Sequence, residues 1–392
     1  MSIDTSVKFF HSGMTGAPQL TATAGSLLTI LRACLVSGFG AVAVDSIAVA
    51  SGVATLTISA GMPFNEVDSV ILVSGCALAA LNGEKKIAAL GTTTLTFDAS
   101  GLSDGSYSGG ISAKIAPAGW AELFTGTNVA VFQSLSPQST KCCLRVDDTG
   151  TTDARVVGYE AMSDLNTGLG RVPLDSQISG GGYWPKADSI NNPAREWAIF
   201  SDARMMYIWT SPFDHRSYQQ RKITGHVFCF GDLIPHVQNN PYAWCISAGN
   251  VPDTSFGAYV CSTSWLCSAD GHYTPRNASG GGASSQLIRN ARTKGNGLSK
   301  PRFAGVEGFA YPSPSMSALL VTDLWADTYT DNDPMGFFPG IKIPMQAIGG
   351  TFGFSHQHVR VDQRTLMSIY TSQYYDQSNG GNVFFDITGP WR

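Results

Sequence analysis

Short apolar runs separated by Gly, Pro, Asn, Asp and Ser recur along most of this chain, and this pattern predicts β-strands. Residues 196–200 and 204–209 are two aromatic-rich runs, and the Ser-Asp-Ala between them predicts a hairpin. A third run at 226–230 ends at a Gly-Asp pair. We expect the three runs to form a central sheet, with five large rings covering one of its faces. These rings are Trp197, Tyr207, Trp209, Phe228 and Phe230.

Leucines recur at helical spacing in residues 26–36, which predicts a short helix with Ser26 as its N-cap. The preceding residues 1–25 are polar and small apart from an apolar group at 7–10, and arms of this kind are usually ordered by docking. We therefore expect residues 1–40 to dock onto a partner, with a helix packed on its own domain as the alternative. The predicted docking side chains are Phe9, Phe10, Leu27, Leu31 and Leu35.

Residues 41–117 hold six short strand-like runs joined by turn signals such as Ser51-Gly52. This density predicts a small antiparallel β-barrel or β-sandwich. Residues 118–392 remain strand-like with longer connections, and they predict a larger, β-sandwich-like domain with long loops. The expected fold class is therefore all-β, with an N-terminal arm, one short helix and a domain boundary close to residue 117.

The 392-residue chain has a net charge of −4, 14% charged residues and 43% hydrophobic residues. Nucleic-acid-binding proteins carry a basic surface, and disordered proteins combine low hydrophobicity with high charge, so this composition argues against both classes. The first residues do not form a cationic leader followed by an apolar core, and the apolar runs are shorter than the ~18–20 residues that span a bilayer. We expect a protein made in a cytosol, with no nucleic-acid or membrane partner, whose low charge suits burial against other subunits.

None of the eight cysteines forms a C-x-x-C pair, which argues against a zinc ribbon or a thioredoxin-like site. Cys229 and Cys245 lie inside apolar runs, where a free buried thiol is the expected state. Disulfides between subunits are the alternative. The adjacent Cys142 and Cys143 would face opposite sides of a strand, so we expect at most one of them in the core.

Residues 101–105 read G-L-S-D-G and match the G-x-S-x-G pattern of a nucleophile elbow. An elbow is followed by a helix, whereas residues 106–115 predict another strand, so we interpret the motif as a turn. His356 and His358 would share one face of a strand. Two imidazoles do not complete a zinc site, so they are either surface or interface histidines, or parts of a site shared between copies in a trimer.

Aromatic side chains in predicted loops could stack on a sugar, although such side chains more often anchor the loop on its own domain. They are Tyr183, Trp184, Trp265, Tyr273 and Tyr311. Cleavage of a glycan would require two carboxylates that face each other in a groove, and sequence alone does not locate such a pair. We therefore assign no catalytic, cofactor-binding or metal-binding residues.

Residues 7–20, 144–162 and 384–392 read VKFFHSGMTGAPQL, LRVDDTGTTDARVVGYEAM and FFDITGPWR. Together with W-P-K at 184–186 and F-G-D at 230–232, they resemble a family of virion structural proteins from tailed bacteriophages and related prophages. The resemblance implies a multi-copy component of the tail, baseplate or neck, whose partners are copies of itself and other virion proteins. It supplies no catalytic residues, and it implies a protein that is not an enzyme and resides in the virion after assembly in the host cytoplasm.

Three other roles stay open at this point. The chain could be a decoration protein of the capsid surface, or a tail component that binds a receptor or a host-surface glycan. A depolymerase is the enzymatic alternative, and hydrolysis of polysaccharide by the purified protein would establish it.

Overall fold

The computed structural model describes residues 3–190, 193–212, 225–250, 271–290, 311–312, 317–328, 333–346, 348, 351–352, 356–371 and 381–392. Antiparallel strands make up almost all of the secondary structure, which confirms the predicted all-β class. Helix α1 is Ser26–Leu31, which continues as a π-helical turn at Arg32–Ser37, and a 3-10 turn lies at Ala79–Leu81. No helix in the described residues is long and apolar enough to cross a membrane.

Strand β1, Lys8–His11, belongs to the N-terminal arm. The next seven strands are β2 (Phe39–Ala50), β3 (Val53–Thr57), β4 (Val70–Ser74), β5 (Gly83–Lys86), β6 (Ala89–Leu90), β7 (Thr94–Asp98) and β8 (Gly105–Ile115). They form one antiparallel sheet in the order β5-β4-β8-β2-β3-β7-β6. The predicted turn joins β2 to β3, and Ser51 and Gly52 both take positive φ, 51° and 79°, as a two-residue hairpin requires.

The following strands are β9 (Trp120–Gly126), β10 (Val129–Ser134), β11 (Cys143–Asp147), β12 (Asp153–Tyr159), β13 (Ala161–Met162), β14 (Gly168–Leu169) and β15 (Gly182–Pro185). Five of them form an antiparallel sheet in the order β15-β12-β11-β10-β9. Strands β13 and β14 pair with each other in a short ribbon. These strands form sheets separate from the first one, and β-structure therefore continues beyond the predicted domain boundary.

The remaining strands are β16 (Glu196–Ser201), β17 (Met205–Ser211), β18 (His226–Asp232), β19 (Ile234–Pro235), β20 (Trp244–Ser247), β21 (His272–Thr274), β22 (Ser285–Asn290), β23 (Val321–Thr328), β24 (Pro334–Pro344), β25 (Gln357–Val361), β26 (Arg364–Thr371) and β27 (Gly381–Asp386). With β1 they form the largest sheet, in the order β1-β16-β17-β18-β20-β21-β22-β23-β24-β27-β26-β25, and β19 pairs with β24. The predicted hairpin and its third strand are thus confirmed as β16, β17 and β18.

These three central strands are buried on both faces, so the five predicted rings are divided between two hydrophobic cores. Trp197, Phe228 and Phe230 belong to the first core. Tyr207 and Trp209 belong to the second core on the opposite face. The prediction of one shared face is wrong because the hairpin register sets Trp209 beside the residue that follows Trp197, and successive residues of a strand point to opposite sides.

The second core forms where the large sheet folds back over itself. The rings of Phe200 on β16 and Phe385 on β27 stack with centroids 4.2 Å apart. The Tyr207 hydroxyl donates to the Pro339 carbonyl at 2.7 Å, so the polar tip of this buried ring is satisfied. Strands that are distant in the order of the sheet therefore face each other across a packed apolar layer.

The predicted boundary near residue 117 does not separate two cores. The first core contains side chains from both sides of it, including Ile111 and Trp120. Phe10 of the arm joins the same core, and Trp120 Nε1 donates to Ser201 Oγ on β16 at 3.3 Å. The N-terminal sheet therefore shares its hydrophobic interior with the central strands.

A fully buried ion pair holds the arm and helix α1 against the five-stranded sheet. Lys186 and Asp148 have no exposed side-chain surface, and the Lys186 ammonium bonds directly to an Asp148 carboxylate oxygen. The ammonium also donates to the carbonyl oxygens of Thr23, at 3.0 Å, and Gly150, at 2.7 Å. Burial raises the pKa of Asp148, while the positive charge of Lys186 acts in the opposite direction.

The other Asp148 carboxylate oxygen caps helix α1. It accepts the backbone N–H groups of Leu27 at 2.8 Å and Leu28 at 3.1 Å. The predicted cap is therefore wrong: Gly25 occupies the N-cap position, and the hydroxyl of Ser26 donates to the Thr21 carbonyl instead. The helix takes its cap from a residue far along the chain, and sequence rules for caps consider only the local segment.

Replacing Lys186 with Met should lower the free energy of unfolding by about 3–5 kcal/mol, because Asp148 would stay buried without its partner. Denaturant unfolding of the purified protein measures this loss. Lys114→Met is the matched control: Lys114 bonds to the Ser37 carbonyl from a partly exposed position, and its loss should cost roughly 1 kcal/mol or less. Equal losses from the two variants would contradict this role.

Candidate functional site

The five side chains predicted to dock onto a partner lie inside the chain's own fold, which corrects that prediction. Phe9 and Phe10 are 2% and 1% exposed, and the leucines at 27, 31 and 35 have no exposed surface. Strand β1 pairs with β16, so Phe9 enters the second core and Phe10 the first. An arm that supplies a strand to its own sheet does not need a partner to become ordered.

The G-x-S-x-G segment is a turn between β7 and β8, as predicted, and β8 begins at Gly105. The prediction for Cys229 and Cys245 is confirmed: both thiols are buried, and neither forms a disulfide bond with another of the described residues. Cys142 and Cys143 are both buried, although at most one of them was expected in the core. Cys142 precedes β11 and belongs to the first core, and Cys143 is the first residue of β11. Cys261 and Cys267 lie outside the described residues.

The loop aromatics considered for glycan stacking mostly anchor the chain on itself. Trp184 is fully buried and donates from Nε1 to the Ser247 carbonyl at 2.8 Å, and Tyr273 is 3% exposed. The guanidinium of Arg155 covers the ring of Tyr183 at 3.8 Å. Trp265 lies outside the described residues. These rings offer little free face for a sugar.

The two predicted histidines meet a third one at the join between the two end strands of the large sheet. The imidazole rings of His356 and His11 stack with centroids 4.3 Å apart. His358 meets the ring of Phe9 edge-on, at 5.9 Å. Since Phe9 and His11 lie on β1, the segment 356–358 runs beside that strand in the opposite direction.

Two carboxylates from the loop before β4 complete this group. Glu66 Oε1 lies 3.1 Å from His11 Nε2, and Glu66 Oε2 lies 4.0 Å from His358 Nε2. Asp68 Oδ2 lies 4.0 Å from His358 Nδ1. We call the five residues the histidine seam: His11, His356, His358, Glu66 and Asp68. The N-terminal arm, the first sheet and the C-terminal strands all meet there.

The surroundings of His356 favour its uncharged form. Its Nε2 atom is sealed from solvent and has no hydrogen-bond partner. The ring of Trp209 approaches it edge-on with centroids 6.0 Å apart. Burial, and then the neighbouring His11 and His358, lower the pKa of His356 to about 3, so this side chain is neutral at pH 7.

The hydrogen bonds of His11 determine which nitrogen carries its proton. The backbone N–H of Gly13 donates to His11 Nδ1 at 3.1 Å, so Nδ1 must present its lone pair. Neutral His11 therefore carries its proton on Nε2, which is the nitrogen that faces Glu66. That proton occupies the position that a metal would need, and no group of three or more His, Cys, Asp or Glu side chains among the described residues is arranged to hold a metal ion.

Sequence reasoning found His356 and His358 but missed His11, Glu66 and Asp68. His11 follows the apolar group at 7–10 of an otherwise polar arm, and the two acids lie in a loop without a motif. The histidine seam forms because β1 and β25, the two end strands of the large sheet, lie next to each other. A local sequence pattern does not predict such a contact.

No protein-family model matches this chain, and a search of curated proteins finds no match. The distances and hydrogen bonds of the seam place three imidazoles next to two carboxylates. Imidazoles change their charge near neutral pH, so the seam contains groups that can respond to pH.

Replacing Leu31 with Ala should lower the free energy of unfolding by about 2–5 kcal/mol, because the side chain is fully buried in the first core. Denaturant unfolding of the isolated chain measures the change. Leu135→Ala is the matched control, since Leu135 is 62% exposed and its truncation should cost about 0.5 kcal/mol or less. A docking role for Leu31 would instead predict a small loss in the isolated chain.

Proposed function

We propose that this chain is a structural component of a tailed-bacteriophage particle, present in several copies in the tail, baseplate or neck. The resemblance of residues 7–20, 144–162 and 384–392 to virion structural proteins supports this proposal. The role is mechanical: the subunit contacts its copies and other virion proteins and stabilises the particle.

The single observation that carries the proposal is how these three stretches are anchored in one body. The first supplies β1, the second supplies most of β11 and all of β12, and the third ends at Arg392. Arg392 Nε bonds to Asp202 Oδ2 at 2.6 Å, and its other nitrogens donate to the carbonyls of Leu233 and Asp232, at 3.0 and 2.6 Å. Segments held in this way oppose local opening, which suits a part under mechanical load.

Charged side chains elsewhere also connect segments that are distant in sequence. Arg32 makes a two-pronged contact with Glu122, at 2.7 and 2.9 Å. Lys86 donates to the carbonyl oxygens of Ile387, at 2.9 Å, and Thr388, at 2.7 Å. These contacts join the helix to β9 and the first sheet to the C-terminus, so they stiffen the body as a whole.

Purified phage particles should contain this chain in a copy number that matches the rotational symmetry of one ring of the tail, baseplate or neck. Quantitative mass spectrometry of gradient-purified particles gives the copy number, and a cryo-EM map gives the position. The major tail protein is the internal standard. Density on the capsid surface would favour the decoration role, and abundance in the lysate with absence from particles would overturn the proposal.

A further inference from the structure

We propose that the histidine seam is an acid-sensitive latch, which holds β1 beside the segment 356–361 at neutral pH and releases it when His356 binds a proton. The proposal goes beyond the particle role and stands on contacts within one chain. A different location of the protein in the particle would leave it unaffected.

At neutral pH the contacts of the seam favour the closed state. Neutral His356 stacks on His11, and an uncharged imidazole tolerates a position between that ring and Trp209. His11 is held by the Gly13 N–H on one side and faces Glu66 on the other. The edge-on contact of His358 with Phe9 extends the join along β1.

Acid disfavours this arrangement because of the surroundings of His356. A proton on His356 would create a cation beside His11, and its sealed Nε2 has no acceptor. An open, hydrated seam would not carry this cost.

The surrounding charges do not compensate His356. The two carboxylates of the seam, Glu66 and Asp68, lie against His11 and His358 instead. Lys8, the other ionisable side chain of β1, pairs with Glu84 at 3.0 Å, and from β17 the neutral ring of Trp209 faces His356. Protonation thus adds positive charge to a cluster in which the acids are already engaged by the other two imidazoles.

The direction of the pH dependence follows from the pKa of His356. Its value of about 3 in the closed seam lies below the ordinary value of 6.5, so the closed state binds fewer protons than the open one. Stability of the seam is complete above pH 6.5 and is lost as the pH falls from 6.5 toward 3. At pH 5 the equilibrium constant for opening should be about thirtyfold higher than at pH 7.5.

Hydrogen–deuterium exchange of the full chain at pH 7.5 and pH 5.0 tests the latch. Exchange rates are divided by the intrinsic rate at each pH, and peptides that cover β1 and β25 report on the seam. We expect their protection to fall at pH 5.0 by about thirtyfold. Strand β11 is the internal control and should keep its protection. A local readout also separates the seam from the other buried histidines, His226 and His272.

Two variants should remove the response. His356→Phe keeps a flat ring on His11 but cannot bind a proton, so the pH-dependent loss of protection should disappear. His356→Gln places an uncharged polar side chain at the same position and should also remove it. His236→Gln, at an exposed position, should behave as the wild type.

The proposal is overturned if β1 and β25 keep equal protection at both pH values, or if His356→Phe responds to acid as the wild type does. Should His356→Phe fail to fold, His356→Gln decides alone: a loss of protection at pH 5.0 equal to that of the wild type contradicts the latch. These outcomes concern one purified chain, so they are distinct from the presence or absence of the protein in particles.

Discussion

The burial of β16, β17 and β18 on both faces is the constraint on which the rest of the structure depends. A sheet with apolar side chains on both sides is stable only when both sides are covered. The N-terminal sheets, helix α1 and Phe10 cover one side, and the returning strands β23–β27 cover the other. Both halves of the chain are therefore needed to complete the environment of the same three strands.

The burial of these strands on both faces explains why ionisable side chains in the interior are either paired or neutral. Inside such a body an ionised side chain needs a partner, and Lys186 with Asp148 shows the solution: each makes several hydrogen bonds besides the ion pair. His356 shows the opposite case, since its enclosed nitrogen has no partner and its pKa falls to about 3. Neutrality replaces pairing at that position, which makes the seam sensitive to protons.

The proposed roles follow from these two features of the interior. Hydrogen bonds of Arg392, Arg32 and Lys86 connect segments that are distant in sequence, and the proposed particle role rests on these connections. The histidine seam lies where the first and last strands of the large sheet meet, at β1 and β25. We therefore expect acid-induced opening to be confined to the contact between β1 and β25.

The sequence by itself determined the elements: the all-β class, the hairpin of β16 and β17, the turn at Ser51 and Gly52, and the buried state of Cys229. These depend on alternation, turn residues and hydrophobicity, which act over a few neighbouring positions. It also revealed His356 and His358 as a pair. Tertiary structure alone decided which faces Trp197 and Trp209 occupy, that a distant acid caps helix α1, and that the predicted docking residues are core residues. These outcomes depend on the turn geometry that sets the register of the hairpin and on contacts between segments more than a hundred residues apart. The alternation of apolar and polar residues in one segment did not specify either.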